Sequence, residues 1–241
     1  MKCELFRVDE TNFGTRLTTM KELDIESIHK LVRDRIQSSI QVKNLLLLDA
    51  QYHRLATEVA LRIVHAIRHG GKIMLCGNGG SAADSQHLAA EFVGRYLIER
   101  SPWPALALNV NSSAVTAIGN DYGYDLVFAR QVEALGKPGD VVIGISTSGN
   151  SRNVVRALEI AKSKSMFTVA LTGVAHGAMS AVADCTIRVP SDETPRIQEC
   201  HILTGHVICE IAELMMCADS KTEIVEADVA GTVAGRQPQT R

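Results

Sequence analysis

Five short apolar runs, each closed by a turn of small or hydroxyl-bearing residues, set the strongest constraint on what this chain can fold into. They lie at 73–76 (Ile-Met-Leu-Cys), 104–110, 140–146 (Asp-Val-Val-Ile-Gly-Ile-Ser), 167–172 and 185–189. Runs of this kind, apolar without alternation, belong to strands covered on both faces. Helical spacing between them then predicts an α/β fold: a three-layer α/β/α sandwich around a central five-stranded parallel sheet. Helices are expected at 52–69, ending at Gly70-Gly71, at 126–135, at 153–164, after Gly173, and from about 196 to 216. A stretch from 111 to 118 is also helical, and the turn-forming cluster Gly119-Asn120-Asp121-Tyr122-Gly123 is expected to end it. Ahead of the first strand, Leu23, Ile28, Leu31, Val32, Ile36 and Ile40 recur at helical spacing up to residues 45–48. The apolar face of such a helix needs a sheet edge or another subunit to cover it. One domain over 23–217, including these N-terminal helices, is therefore expected between an extension at 1–22 and a mobile tail at 218–241.

Composition narrows the partners. The formal net charge is −2 and aromatic residues make up 4%, which gives neither an electrostatic footprint for nucleic acid nor stacking platforms for single strands. No run approaches 18 apolar residues and residues 1–20 carry acids without a hydrophobic segment, so neither a membrane span nor a secretory signal is expected. The six cysteines have no CxxC spacing and several fall in apolar segments, as in a reducing cytoplasm.

The chemistry gathers at two strand-to-helix turns. After the first strand comes Gly77-Asn78-Gly79-Gly80-Ser81, whose backbone can approach an anion closely and whose Ser81 reads as a helix N-cap. On the helix that follows, His87 and Glu91 are spaced i, i+4, with Arg95 a turn further on, and all three are expected on one face. After the third strand, Ser146-Thr147-Ser148-Gly149-Asn150-Ser151 sets four hydroxyls around a glycine. An N-cap needs one hydroxyl; four, with a helix dipole behind them, suit a phosphate. The spacing Gly77-x-Gly79-x-x-Ala82 also matches a dinucleotide fingerprint, yet Val110-Asn111-Ser112 stand where its ribose-binding acid belongs, and no Lys-Ser or Lys-Thr follows for a P-loop. In the last helix, Gln198 and His206 share adjoining sides, with His201 displaced to the other side as a candidate core residue. Should His206 meet Glu91 across a cleft, the pair makes an acid and a base; with His87 and Gln198 it offers a metal two imidazoles, a carboxylate and a less usual amide oxygen.

These segments also carry a family resemblance. Cys-Gly-Asn-Gly-Gly-Ser-Ala-Ala-Asp (76–84), His-Leu-Ala-Ala-Glu (87–91), Gly-Asn-Asp (119–121), Gly-Ile-Ser-Thr-Ser-Gly-Asn-Ser (144–151) and Arg-Ile-Gln-Glu (196–199) followed by His206 stand in the order and spacing of the phosphoheptose (sedoheptulose-7-phosphate) isomerases. These belong to the SIS (sugar isomerase) superfamily, and the resemblance covers about 45–216. It implies a flavodoxin-like SIS fold and conversion of sedoheptulose 7-phosphate to D-glycero-D-manno-heptose 7-phosphate, the first step of nucleotide-activated heptose biosynthesis. It implies a homotetramer with sites built from neighbouring subunits, a catalytic base at Glu91, an acid at His206, and one zinc ion per subunit held by His87, Glu91, Gln198 and His206. The phosphorylated seven-carbon sugar would be bound by Asn78, Gly79, Gly80, Ser81, Glu91, Arg95, Asn120, Asp121, Ser146, Thr147, Ser148, Ser151 and Gln198. Other SIS relatives bind a phosphosugar or a replication initiator without catalysis; they are similar through the serine loop but lack the acid and base positions, both of which are present here.

Overall fold

The computed structural model describes residues 24–234, with side chains over 24–218; the expected extension at 1–22 lies outside the described residues. Two compact units divide the chain between Gln37 and Ser38. The first holds the beginning of helix α1 (Ile25–Leu48), whose Ile25, Ile28, Leu31, Val32 and Ile36 are exposed.

The second unit contains the sheet. Strands β1 (Ile73–Gly77), β2 (Ala105–Ala107), β3 (Val141–Ser146), β4 (Phe167–Thr172) and β5 (Cys185–Arg188) are all parallel, in the order β2-β1-β3-β4-β5. Alternate side chains enter two separate cores, as strand geometry requires. Ile73, Leu75, Val141, Ile143 and Ile145 point into one, with helices α2 (Ala50–Arg68), α3 (Gly80–Val93) and α8 (Thr194–Ala234). Met74, Cys76 and Val142 point into the other, with α5 (Ala129–Leu135), α6 (Arg152–Ser163) and α7 (Ala178–Val182). Three layers and five parallel strands are what the apolar runs predict.

Four boundaries differ from expectation, the first being that of α5, which starts at Ala129 rather than 126, Tyr124–Leu126 forming a separate 3₁₀ turn. Strand β2 keeps only Ala105–Ala107 of the run at 104–110, because it is an edge strand with a single neighbour and the chain turns at the buried Leu108. Helix α4 (Ser112–Tyr122), capped by the Asn111 side chain, runs through Gly119-Asn120-Asp121 and stops at Gly123, whose φ of +89° suits glycine. Turn formers thus mark the helix end, but four residues late. Helix α8 continues past the expected end at 216 to Ala234, through Ala, Glu and Lys residues that favour helix without apolar periodicity. Its segment Thr194–Ala218 is long and apolar enough to span a membrane by length and composition. Ile197, Cys200, Ile208, Cys209 and Ala212 are instead buried against α2 and α3, which accounts for the apolarity.

Candidate active site

In a parallel sheet of this order, neighbouring crossovers leave β1 and β3 on opposite faces, so a crevice opens beyond their carboxyl ends. Both turns singled out in the sequence lie there. The first follows β1. Gly79, at φ +57° and ψ −122°, is the N-cap of α3 and contributes no side-chain cap; the Ser81 and Ala82 N–H groups donate instead to the carbonyls of Asn78 and Gly79 at 3.1 and 3.0 Å. Ser81 is therefore not the cap; it lies within the first turn, buried, packed beneath Gly77. Gly80 presses so closely on the Gln198 amide that a Cβ there would overlap it. This contact brings Gln198 of α8 to the glycine turn. The Asn78 side chain is tied down on two sides: it exchanges two hydrogen bonds of 2.9 Å with the buried Asn153 amide of α6 and accepts one of 3.2 Å from the Tyr124 hydroxyl.

The second turn follows β3. Ser146 Oγ lies 2.8 Å from Ser151 Oγ and 3.4 Å from Ser148 Oγ, so three hydroxyls converge. Ser151 is the N-cap of α6 yet makes no side-chain cap hydrogen bond, which leaves its hydroxyl and the first N–H groups of α6 for an anion. Thr147 enters through its backbone, its carbonyl accepting the Gly173 N–H at 3.1 Å. Asn150 braces the loop, donating to the Ser148 carbonyl and accepting the Ala178 N–H.

Across the crevice, α3 and α8 bring together His87, Glu91 and His206. His87 Nε2 is 2.9 Å from His206 Nε2, a hydrogen bond spanning 119 residues of chain, and 3.2 Å from Glu91 Oε1. The close approach is made at the neighbouring positions Leu88 and Gly205, where any Cβ on Gly205 would overlap the Leu88 side chain. Donor atoms of all three residues lie within 4.8 Å of one another. Two ligands on a tetrahedral zinc ion at ~2.0–2.1 Å stand about 3.3 Å apart, close to the separations already present. Two neutral imidazoles and a carboxylate also form a set that zinc accepts. The residues fit the metal. One turn before His87, Asp84 has a carboxylate oxygen buried without a partner; burial pushes its carboxyl up, with His87 pulling against that.

Some expected site residues fall elsewhere. Helix α3 ends at Val93, so Arg95 lies beyond it, off the face shared by His87 and Glu91, and pairs with the exposed Glu99 at 3.3 Å. The cause is Arg100, whose guanidinium donates to the carbonyls of Glu91, Phe92 and Gly94 and closes the last turn. Asn120 and Asp121 are exposed on the last turn of α4, where Asn120 Nδ2 donates to Asp121 Oδ1 at 2.8 Å. His201 is a core residue: 1% exposed, with neither ring nitrogen in a hydrogen bond. Burial pushes its pKa down to about 4, with only the Thr172 backbone acting against it. The structure also adds residues that the sequence reading passes over. Tyr96 stacks on His206, Asn153 locks Asn78, and Arg100 pairs with Glu213 beneath the cluster.

A hydroxyl-lined turn at the switch point of a 2-1-3-4-5 parallel sheet, with a His–Glu–His cluster on α3 and α8, suits an SIS-type domain, and the SIS domain family matches residues 43–173. The phosphoheptose isomerase of Aneurinibacillus thermoaerophilus is 52% identical over 182 residues, covering 76% of this chain and 92% of that protein. That of Rhodospirillum rubrum is 54% identical over 161 residues, 67% of this chain and 86% of the other. Among solved structures, the phosphoheptose isomerase of Neisseria gonorrhoeae superposes with a TM-score of 0.71 at 42% identity, covering 77% of this chain and 98% of its own. The chain belongs to the phosphoheptose isomerase family.

Proposed function

We propose that this protein converts sedoheptulose 7-phosphate to D-glycero-D-manno-heptose 7-phosphate, with Glu91 as the base, His206 as the acid and the Ser146–Ser151 turn as the phosphate cradle. The observation that carries the reading is the meeting of Glu91, His87 and His206 from two helices far apart in sequence. A ketose becomes an aldose when a proton leaves C1, an enediol forms, and a proton is returned to C2. A carboxylate held in the crevice is suited to the first transfer, and a neighbouring imidazole to the proton traffic of the oxygens. Glu91 is half-buried, which limits competing water, and its carbonyl is fixed by Arg100 at 2.8 Å. Ser146, Ser148, Ser151 and the start of α6 hold the phosphate, and Gln198, pressed against Gly80, borders the place of the sugar.

His87, Glu91 and His206 would hold a zinc ion, with Gln198 as the fourth ligand; bound there, the metal supplies Lewis-acid polarisation of a sugar oxygen. The reading also takes the protein as a cytoplasmic homotetramer whose sites are shared between subunits. Free buried Cys76, Cys185, Cys200 and Cys209 support the compartment. The exposed apolar stripe of α1 supports the assembly. A purely binding role is not favoured, since acid and base positions are both filled and the relatives bear an enzyme's name.

The test is incubation with sedoheptulose 7-phosphate, with and without zinc, following the aldose phosphate. Wild-type protein is expected to form product and Glu91→Gln to lose about 10²–10⁴-fold in kcat while keeping its fold. Retained activity in that variant would remove Glu91 as base.

A further inference from the structure

The cluster raises a question of orientation. His206 presents Nε2 to His87 Nε2 at 2.9 Å, but a hydrogen bond at that one nitrogen does not fix the plane of an imidazole that rotates about two side-chain torsions. The ring of Tyr96 lies against it, centroids 5.4 Å apart and planes 24° from parallel, an offset stack. Tyr96 itself belongs to no helix or strand. What holds it is a buried ion pair. Glu213, two turns beyond His206 on α8 and 1% exposed at its side chain, accepts the backbone N–H groups of Tyr96, Leu97 and Ile98 at 2.7–2.9 Å and the Arg100 Nε at 2.9 Å. Arg100 in turn donates to the carbonyls of Glu91 and Phe92, and its guanidinium lies 3.6 Å over the Trp103 ring. Burial works to raise the Glu213 carboxyl, yet the three N–H groups and Arg100 outweigh it and hold the group ionised, below the usual carboxylate range.

We infer that Tyr96 is a positioning residue for His206, and that the Arg100–Glu213 pair sets Tyr96, Glu91 and His206 in one frame. The inference rests on the reading of Glu91 and His206 as the reacting pair. A packing role alone would make the pair and Trp103 a plug closing the end of α3, and would leave the Tyr96 ring free to be any apolar group. The stack assigns that ring a task which a non-planar side chain of similar size cannot perform.

The experiment compares wild type, Tyr96→Phe and Tyr96→Leu. None of these changes the backbone N–H groups that Glu213 holds, and Tyr96 is only half-buried, so folding is retained and is checked by thermal melting. Turnover of sedoheptulose 7-phosphate is resolved into kcat and KM, and zinc affinity is measured separately by competition with a chromogenic chelator in the absence of sugar. Tyr96→Leu is expected to lower kcat at least tenfold with KM within threefold, because the phosphate cradle stands on other elements, and to weaken zinc at least tenfold. Tyr96→Phe, which keeps the flat ring, restores most of both. Wild-type kcat and zinc affinity in Tyr96→Leu would overturn the inference while leaving the isomerase reading intact, and so would equal losses in the two variants, which would assign the role to the hydroxyl. Absence of turnover in the wild type overturns the isomerase reading and this inference with it.

Discussion

At the residue scale, His201 shows how far a side chain's type underdetermines its role. Three residues from Gln198 and five from His206, it shares a helix with proposed metal ligands, yet it is buried with neither ring nitrogen hydrogen-bonded and a pKa pushed down to about 4. In the unfolded chain it titrates near 6.5. The folded protein therefore keeps the ring neutral, and the stability it has above pH 6.5 is lost as pH falls toward 4, where the unfolded chain binds the extra proton. Between pH 7.5 and 5 this amounts to about 2 kcal/mol. Urea unfolding at those two pH values is expected to show that loss in the wild type and a smaller one in His201→Leu, and equal losses would mean the ring is not the titrating group. What was legible here was the helix side: the spacing from Gln198 turns His201 away from the cluster. Its missing partners were not legible, since they depend on β4 packing against α8. Arg95 falls outside α3 for a similar reason. Helical spacing puts it below Glu91, but Arg100 captures the last-turn carbonyls and ends α3 first, and nothing local in the sequence marks Arg100 as buried.

At the scale of elements, the site depends on how closely α3 and α8 approach. The five strands and the two strand-to-helix turns after β1 and β3 could be read from apolar runs and hydroxyl clusters because each is a local pattern. The approach of two helices is not local, and its sequence signal is Gly205, set among the apolar residues of a continuous helix. Glycine costs about 1 kcal/mol in a helix interior relative to alanine, so Gly205→Ala on an isolated helix would stabilise. Here the new Cβ meets Leu88, and overpacking of that kind costs about 1–3 kcal/mol. The net expectation is a lower melting temperature together with weaker zinc binding, because His87 and His206 adjoin the contact. Adding Leu88→Ala to Gly205→Ala makes room for the methyl and is expected to recover part of the zinc affinity. Weakened binding that the second substitution fails to relieve would show that the helices are not held apart by this clash.

At the scale of the whole molecule, there is apolar surface that the fold of the described residues does not cover. Along α1, Ile25, Ile28, Val32, Ile36 and Ile40 follow one another at three- and four-residue steps, and all are exposed by 41% or more. A stripe of that regularity marks a surface that another chain covers, and the proposed homotetramer supplies one. The cradle and the His–Glu–His cluster lie at the ends of β1 and β3, whereas Asn120 and Asp121 sit exposed on the last turn of α4. If neighbouring subunits share their sites, activity and assembly fall together. Sedimentation velocity across a dilution series is expected to give a tetramer for the wild type, and Val32→Asp with Ile36→Asp to give smaller species, since a charge buried at an apolar interface is costly without a partner. In the same variants kcat is expected to fall at least tenfold although His87, Glu91 and His206 are unchanged. Dissociation with full activity would show that each subunit carries a complete site, and a wild type that sediments as a monomer would leave the stripe on α1 to a different partner.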